Sequence, residues 1–278
     1  MNSRLAALRH ALRRPQIAFG VFISVFWFLV VATVHLWAPY KAYEQTGARL
    51  SPPSFQHLFG TDVLGRDVFS RVMYGSRQSI PIAVVVIIFA VLVGSIVGGI
   101  AGYIGGRLDS FIMRITDVFI SFPALLFAMV IAASLGRGSS STMIAVSVTW
   151  WPFYARLVRG QVMSIRNREH IEAAVSIGAG TSRILRKHVL PLTMTPVMVN
   201  ATSDFGFVVL VVSSLSFLGL GAKPPMPEWG TMVAEGSQNF YQWWLALTPG
   251  LAIVTIILGF NFLGDGVRDE LDKRSATK

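Results

Sequence analysis

Six long apolar runs dominate the sequence and constrain its fold more than any other feature. They extend over about 17–38, 80–104, 116–135, 142–158, 196–218 and 244–263. A stretch of about 20 apolar residues is long enough to cross a hydrocarbon core of about 30 Å as an α-helix. An α-helix also satisfies its own backbone hydrogen bonds in lipid. The pattern predicts an all-α, polytopic membrane protein with six transmembrane helices.

The charge content supports this interpretation. Only 14% of the 278 residues are charged and 53% are hydrophobic, whereas soluble domains average about 25% charged residues. The formal net charge is +10, but the basic residues lie beside the apolar runs and do not alternate with aromatic residues along a polar domain. This placement argues against nucleic-acid binding. The chain has no cysteine, which excludes disulfides, thiol catalysis and cysteine-ligated metal sites.

The distribution of basic residues predicts how the helices are oriented. When the N-terminus is placed inside the cell, most of the 24 Lys and Arg residues fall on the inner side, as the positive-inside rule requires. Both termini are therefore predicted to be cytoplasmic. The predicted segments are a basic cytoplasmic N-terminus (1–16), a first transmembrane helix (17–38), an external loop (39–79), a five-helix core (80–264) that includes a cytoplasmic loop (159–195), and a cytoplasmic C-terminal tail (265–278).

Two prolines lie inside predicted transmembrane helices, Pro123 in the third and Pro152 in the fourth. A proline inside a helix removes one backbone hydrogen bond and clashes with the preceding turn. We therefore expect both helices to be kinked at these positions.

The cytoplasmic loop is predicted to contain two short helices. The first runs from about Asn167 to Ile177 and stops at Gly178 and Gly180, because glycine adopts the left-handed conformation that ends many helices. Thr181 or Ser182 can cap the second helix, which is expected to end before Pro191. Composition alone is equally compatible with an amphipathic hairpin on the membrane surface and with a docking site for another protein.

The same loop carries a motif with a specific spacing. Glu172, Ala173 and Ala174 are followed by Gly178 and then by the pair Leu190-Pro191. This arrangement resembles the EAA loop of ATP-binding-cassette importer permeases, with His188 at a position where that family usually has isoleucine. Small residues permit close approach to a partner, and an acidic residue near a helix start is favoured by the helix dipole.

Two further motifs resemble those of the permeases for dipeptides, oligopeptides and nickel, in particular the second, C-type permease subunit. Many members of that family have an acidic residue three positions before the sequence Leu215-Ser216-Phe217. This chain has Val212 at that position. The external motif comprises Gly60, Thr61, Asp62, Gly65, Arg66, Asp67 and Arg71. The outer-lid motif comprises Leu215, Ser216, Phe217, Gly219, Gly221, Pro225 and Trp229.

The resemblance implies a type I importer permease fold and a translocation subunit in the bacterial inner membrane. It also implies a second, different permease subunit, two ATP-hydrolysing subunits and an extracytoplasmic solute-binding protein as partners. No segment has the G-x-x-x-x-G-K-[ST] pattern that cradles ATP phosphates. We therefore expect no catalytic residue and no cofactor in this chain, with ATP and Mg²⁺ bound by the partner ATPases.

The cargo implied by the resemblance is a dipeptide or an oligopeptide. Nickel, glutathione, opines and oligosaccharides are alternatives within the same group. A secondary transporter is the alternative from a different class, but it would normally have several charges within the membrane and an internal repeat.

Each of the two outer motifs allows two interpretations. Asp67 and Arg71 lie one helical turn apart, so an ion pair between them can order the external loop; contact with the binding protein is the other interpretation. The glycine- and proline-rich segment 217–244 is expected to form an irregular outer lid or a re-entrant element that is buried against protein. Trp229, Trp243 and Trp244 are expected to form a belt at the membrane interface or to contact the peptide.

Asp204 is the ionisable residue that stands out within the predicted membrane-spanning helices. A charge at this depth is costly and usually faces a cavity or a partner. Asp204 therefore lines the transport pathway or forms a hydrogen bond with Thr202 or a neighbouring helix. The five histidines are scattered without metal-ligand spacing, so no metal site is predicted.

Overall fold

The computed structural model describes residues 15–276, and the side chains of residues 15–269. The predicted basic segment 1–16 lies almost entirely outside this range, as does the end of the predicted tail. The described chain is all-α, as predicted, with two isolated β-bridges in its outer segment. Its elements are α1 (Pro15–Trp37), α2 (Val68–Ile104), α3 (Gly106–Ser121), α4 (Ala124–Leu135), α5 (Ser139–Ile165), α6 (Glu169–Ser176), α7 (Thr181–Ile184), a π-helical turn (Leu185–Val189), α8 (Leu190–Phe217), α9 (Trp229–Ser237) and α10 (Trp244–Ala276).

Four helical segments in the described part of the chain are long and apolar enough to cross a membrane. They are Pro15–Trp37, Val68–Ile104, Thr181–Phe217 and Trp244–Asp269. The bent pair α3–α4 makes a fifth if it is counted as one crossing. The predicted fourth crossing lies within α5, a continuous helix of 27 residues that does not reach the same mean hydropathy. The polytopic helical architecture is thus present, and the number of six transmembrane helices remains a prediction.

The predicted third transmembrane helix, 116–135, is not continuous. α3 and α4 meet at an angle of 89°. Phe122, which precedes Pro123, has an extended backbone (φ −90°, ψ 142°), since the proline ring disfavours the helical conformation in the residue before it. Pro123 therefore produces a right-angled break rather than a kink, whereas α5 continues through Pro152 without interruption.

The second membrane helix starts earlier than the apolar run predicted. α2 begins at Val68 rather than near Ile80, so the last part of the predicted external loop 39–79 is helical. The Asp67 side chain caps this helix by accepting a hydrogen bond from the backbone N–H of Ser70 (2.7 Å). Because the first turns of α2 are polar, the hydropathy pattern did not indicate where this helix begins.

The second short helix of loop 159–195 does not end before Pro191, contrary to the prediction. α7 continues through the π-helical turn into α8, and the N–H of Leu190 bonds to the carbonyl of Leu185. In a π turn each backbone hydrogen bond spans five residues instead of four, which widens the helix locally. It lies directly before Pro191, which lacks an N–H and would clash with the preceding turn of a regular helix. Residues 181–217 consequently form one connected rod.

The core of the bundle is built on close contact between α2 and α5. Gly94, Gly98 and Gly102 repeat every four residues along one face of α2, and this face contacts Tyr154, Ala155 and Arg159 of α5. A Cβ atom at Gly98 would lie 2.2 Å from the carbonyl oxygen of Ala155. Small residues at such spacing let two membrane helices approach each other. This packing also fixes the position of Tyr154.

Candidate functional site

The loop predicted to be cytoplasmic, 159–195, contains α6, a short helix with one buried and one exposed face. Ile171 and Ala174 are buried in the core of the chain. Val175 and Ile177 are 53% and 85% exposed. Ala173 is exposed on the same helix. Apolar side chains exposed on a helix that is too short to cross the membrane are typical of a surface that packs against another protein. We call residues 169–178 the coupling surface.

Gly178 ends α6 as the sequence predicted. Its backbone lies in the left-handed region (φ +77°), and a Cβ atom placed there would meet nothing within 4 Å. The N–H of Gly178 bonds to Val175 O (2.9 Å) and that of Ala179 to Ala174 O (3.1 Å). This is the hydrogen-bond pattern of a Schellman cap. Gly178 is therefore required by the backbone conformation and leaves an open surface beside α6.

Glu172 lies in the first turn of α6, together with Glu169, where the helix dipole favours negative charge. Its side chain is exposed and makes no ion pair with any residue in the described range. No basic residue of the described loop pairs with it, and the carboxylate is available to another subunit.

Leu190 and Pro191 connect the coupling surface to the membrane helices. Leu190 packs against α2, since a Cβ atom at Gly99 would lie 3.3 Å from Leu190 Cδ2. Pro191 is exposed in the first turn of α8. Displacement of α6 and α7 would thus act on both α8 and α2.

The external motif forms a buried ion cluster around Asp62. The carboxylate Oδ2 accepts a hydrogen bond from Arg66 Nε (2.6 Å) and lies 3.3 Å from Arg71 Nε. The other oxygen, Oδ1, accepts the backbone N–H groups of Leu64 and Arg66. Asp62, Arg66 and Arg71 are all at most 6% exposed. One carboxylate therefore pairs with two buried guanidinium groups, and Glu235 Oε1, 4.0 Å from Arg66 Nη2, supplies a second negative charge.

The predicted ion pair between Asp67 and Arg71 is wrong. Arg71 pairs with Asp62, while Asp67 Oδ1 contacts His57 Nδ1 (2.9 Å) and its other oxygen caps α2. The tight turn that brings Asp62 to Arg71 uses Gly65 (φ +77°), where a Cβ atom would lie 2.3 Å from Gly47 O. The interpretation that ions order this loop holds, but with different partners.

The remaining residues of the external motif join the outer segments together. Thr61 donates a hydrogen bond to Ala48 O (2.6 Å), and its own carbonyl accepts Trp244 Nε1 (3.3 Å). Gly60 (φ +68°) lies so close to Trp244 that a Cβ atom would approach Nε1 to 2.8 Å. Arg71 also reaches Pro225 O of the lid (3.5 Å). The motif is thus an internal scaffold that holds the segment before α2 against the lid and α10.

The outer lid is irregular over 218–228, as predicted, whereas 229–237 forms the helix α9. Trp229 is not part of an interfacial belt. Its ring is fully buried, its Nε1 donates to Val72 O (2.9 Å), and it contacts Trp27 edge-to-face at 4.8 Å. Trp244 is also buried, while Trp243 is 57% exposed. Of the other lid residues, Leu215 and Ser216 are buried and Phe217 is exposed. Gly221 lies so close to Ser216 that a Cβ atom would collide with it, and Gly219 adopts a positive φ of +83°.

Glu228 is a buried residue that the sequence analysis missed. Its carboxylate accepts the N–H groups of Gly230 and Thr231, each at 3.0 Å, and the hydroxyl of Ser79 at 3.1 Å. Burial raises the pKa of Glu228, and the hydrogen bonds to Gly230 and Thr231 oppose this shift. The acidic residue immediately before Trp229 was the available signal, because acidic side chains often cap helices.

Asp204 lies on α8 and faces a neighbouring helix. Its Oδ2 accepts a hydrogen bond from the Tyr154 hydroxyl (2.9 Å), whereas Thr202 bonds to Met198 O. Of the two predicted alternatives for a hydrogen bond, the neighbouring helix is therefore the partner. The carboxylate also lines a surface cavity of about 360 Å³ between α4, α5 and α8. We call this cavity the Asp204 cavity.

No group of three or more His, Asp or Glu side chains that could hold a metal ion occurs among the described residues.

Comparison with known proteins places these features in a family. The family model described as binding-protein-dependent transport system inner membrane component matches residues 94–277. The matched range includes the coupling surface, the Asp204 cavity and the outer lid, and it excludes α1 and the external motif.

Curated relatives match over most of the chain. The probable D,D-dipeptide transport system permease protein DdpC of Escherichia coli (strain K12) is 44% identical over 233 residues, covering 83% of this chain and 78% of that protein. The dipeptide transport system permease protein DppC of Alkalihalophilus pseudofirmus is 40% identical over 267 residues, covering 95% and 88%. The glutathione transport system permease protein GsiD of Escherichia coli O157:H7 is 43% identical over 266 residues, covering 94% and 88%.

Among solved structures, the MetNI methionine ABC transporter in inward-facing conformations is similar, with a TM-score of 0.55 and 21% sequence identity. The match covers 72% of this chain and 96% of that chain. At this identity the similarity shows a shared fold.

Proposed function

Because this chain belongs to the family of binding-protein-dependent transport system inner membrane components, we propose that it carries short peptides, chiefly dipeptides, across the bacterial inner membrane. The chain is the permease of an ATP-binding-cassette importer, a multi-pass component that works with an ATPase and a solute-binding protein. The choice of dipeptides rests on relatives that are named for dipeptide transport.

The coupling surface is the observation that carries the proposed mechanism. α6 exposes Val175, Ile177 and an unpaired Glu172, and a continuous rod leads from α7 into α8. A helix seated in a groove of an ATPase would move with that subunit when ATP binds and is hydrolysed. The movement would pass along α8 and change the access of the solute pathway from one side of the membrane to the other.

The proposed assembly contains two ATPase subunits, which bind ATP and Mg²⁺, and a second, different permease subunit. The face of this chain beside the Asp204 cavity supports a partner within the membrane. A carboxylate near the middle of α8 is costly when it faces lipid. Covering this face with a second permease, and lining a water-filled pathway with it, removes that cost.

Six membrane crossings with both termini in the cytoplasm remain part of the proposal. In this arrangement α5 is the fourth crossing and the bent pair α3–α4 is the third. A crossing of low hydropathy is acceptable if α5 faces protein or water instead of lipid. The exposed Arg156 on α5, which pairs with Asp117 of α3, agrees with that position.

Glutathione is a second candidate cargo because the relative named for glutathione transport is as similar as those named for dipeptides. Glutathione and dipeptides share a free α-ammonium group, a peptide bond and a carboxylate. A difference between them would be selected largely by the binding protein.

Cross-linking tests the position of the coupling surface. The chain has no native cysteine, so a single introduced cysteine can be attached with a thiol-to-amine reagent. We expect Val175→Cys on α6 to cross-link to the ATPase and to resist an impermeant maleimide added outside intact cells. The control Ser237→Cys, exposed on α9, should react with that maleimide and should not reach the ATPase. The reverse pattern would contradict both the coupling role and the proposed orientation.

A further inference from the structure

We infer that the Asp204 cavity binds the free α-ammonium group of the transported peptide within the membrane. The inference deepens the proposed function, on which it rests, by assigning recognition of one chemical group to this subunit. The argument depends on the charge of the cavity, on the hydrogen bonds that its walls leave unused, and on its place in the bundle.

The charge of the cavity favours a cation. Asp204 is its single acidic residue, and none of the residues that line it is basic. Within the described range no Lys, Arg or His pairs with this carboxylate, in contrast to Asp62. A buried or half-buried carboxylate without a basic partner is stabilised by an ammonium ion, and a ligand carboxylate at the same place would be repelled.

The polar groups in the cavity wall can accept the hydrogen bonds that an ammonium group donates. The Tyr154 hydroxyl is the one side-chain donor that meets hydrogen-bond geometry at Asp204 in the described chain, and it occupies Oδ2. Asn200 donates its side-chain N–H to Pro196 O (2.8 Å), which leaves its carbonyl oxygen as an acceptor. A primary ammonium has three donors and no acceptor. The cavity thus offers acceptors where such a group needs them.

Aromatic rings form much of the remaining wall. Trp150, Phe153 and Phe207 line the cavity, and the rings of Trp150 and Phe207 lie 5.7 Å apart. Ammonium groups are attracted to the faces of aromatic rings. The indole Nε1 of Trp150 is buried and lies near the same carboxylate without meeting hydrogen-bond geometry.

The position of the cavity is suitable for a solute in transit. Asp204 lies near the midpoint of α8 (Leu190–Phe217). Phe153 and Phe207, at 43% and 54% exposure, mark its opening at the surface of this chain. A volume of about 360 Å³ is within the range of small-ligand sites, about 300–1,000 Å³. Because α8 is continuous with the coupling segment, ATP-driven movement of α8 would move the carboxylate itself.

The test compares two probes that differ in the ammonium group, L-alanyl-L-alanine and N-acetyl-L-alanyl-L-alanine. Their binding to the purified complete transporter in lipid nanodiscs, without binding protein, is measured by saturation-transfer NMR. We expect the wild type to bind the free dipeptide about tenfold more tightly than the acetylated one, as a charge-assisted hydrogen bond would provide. Equal binding of both probes would overturn the inference.

Substitutions in the cavity test whether Asp204 is the source of the preference for the free dipeptide. Asp204→Asn keeps the shape of the side chain and removes its charge, so we expect the tenfold preference to disappear. Asp204→Glu should restore most of it. Asp117→Asn, which neutralises an exposed acid on α3, is the matched control and should leave the preference within twofold of wild type. A preference that survives Asp204→Asn would overturn the inference.

If the Asp204→Asn variant does not assemble, a displacement measurement on the wild-type complex tests the inference. Ethylammonium should displace the dipeptide from the wild-type complex, whereas acetate at equal concentration should not; failure of ethylammonium to displace it would overturn the inference. ATP-driven uptake of the dipeptide tests the proposed cargo independently. A complex that imports the dipeptide without any ammonium preference contradicts the inference alone, and one that shows the preference without import contradicts the cargo alone.

Discussion

Replacement of Gly178 by valine is expected to abolish solute uptake while the protein still inserts into the membrane. Gly178 has φ +77° and open space around the position of a Cβ atom. A β-branched residue in the left-handed region costs at least about 1–2 kcal/mol, and the new side chain would project from the coupling surface. Both effects act on a loop outside the membrane helices. We expect uptake below about a tenth of wild type and ATP hydrolysis that no longer responds to the loaded binding protein, because the precise seating of a docked helix is lost.

Gly136 provides the matched control for this substitution. It also has a positive φ (+86°) and nothing within 4 Å of a Cβ atom, but it ends α4, away from the coupling surface. Gly136→Val imposes at least as much backbone strain, since Gly136 combines its positive φ with ψ 166°, a conformation almost restricted to glycine, and it should nevertheless retain most of the uptake. Equal loss of uptake in both variants would show that strain alone is responsible. Normal uptake by Gly178→Val would contradict the role of α6.

Replacement of Asp62 by alanine is expected to give the largest loss of stability among single changes in the outer segment. Asp62 forms ion pairs with Arg66 and Arg71, both buried, and accepts two backbone N–H groups. Removing one member of a buried ion pair typically costs about 3–5 kcal/mol because the remaining charge is left unpaired. We expect a large decrease in the melting temperature of the detergent-solubilised complex and faster proteolysis of residues 39–67.

Asp117 is the corresponding control for Asp62. Its ion pair with Arg156 is exposed, with side chains that are 62% and 52% accessible, and exposed pairs contribute about 0–1 kcal/mol. Asp117→Ala should therefore leave the melting temperature nearly unchanged. If Asp62→Ala were equally mild, the external motif would be a surface for a partner and not an internal scaffold.

The features predicted correctly from the sequence depend on patterns within one segment. The all-α architecture follows from apolar runs that have no other stable form in lipid. The end of α6 at Gly178 follows from the preference of glycine for positive φ. The break at Pro123 was located, although its size was not, because the angle depends on what packs on either side of the proline.

Apart from the start of α2 and the continuation of α7 into α8, the errors concern contacts between segments that are distant in the sequence. Asp67 and Arg71 have the spacing of an ion pair, yet the turn at Gly65 delivers Asp62 to Arg71 instead. Trp229 has the composition of an interfacial residue, but it is buried against Trp27, about two hundred residues earlier. Hydropathy gives the environment that a segment prefers and does not identify the neighbours that the fold supplies.

The Asp204 cavity illustrates the same limit. Asp204 stood out in the sequence as a charge at membrane depth, but its partner Tyr154 lies 50 positions away on α5. The location of Tyr154 depends on the contact of α5 with Gly94, where a Cβ atom would lie 2.4 Å from Tyr154 Cβ. A pattern of glycines four residues apart on α2 was visible in the sequence, but which helix it contacts was not.

The most direct test of the central claim is dipeptide uptake by vesicles that contain the purified transporter complex. ATP is enclosed with the ATPase subunits, and the solute-binding protein and radiolabelled L-alanyl-L-alanine are supplied on the opposite side. The account predicts accumulation that requires ATP, the binding protein and the partner subunits together. Uptake by this chain alone, driven by a proton or sodium gradient and indifferent to ATP, would contradict it.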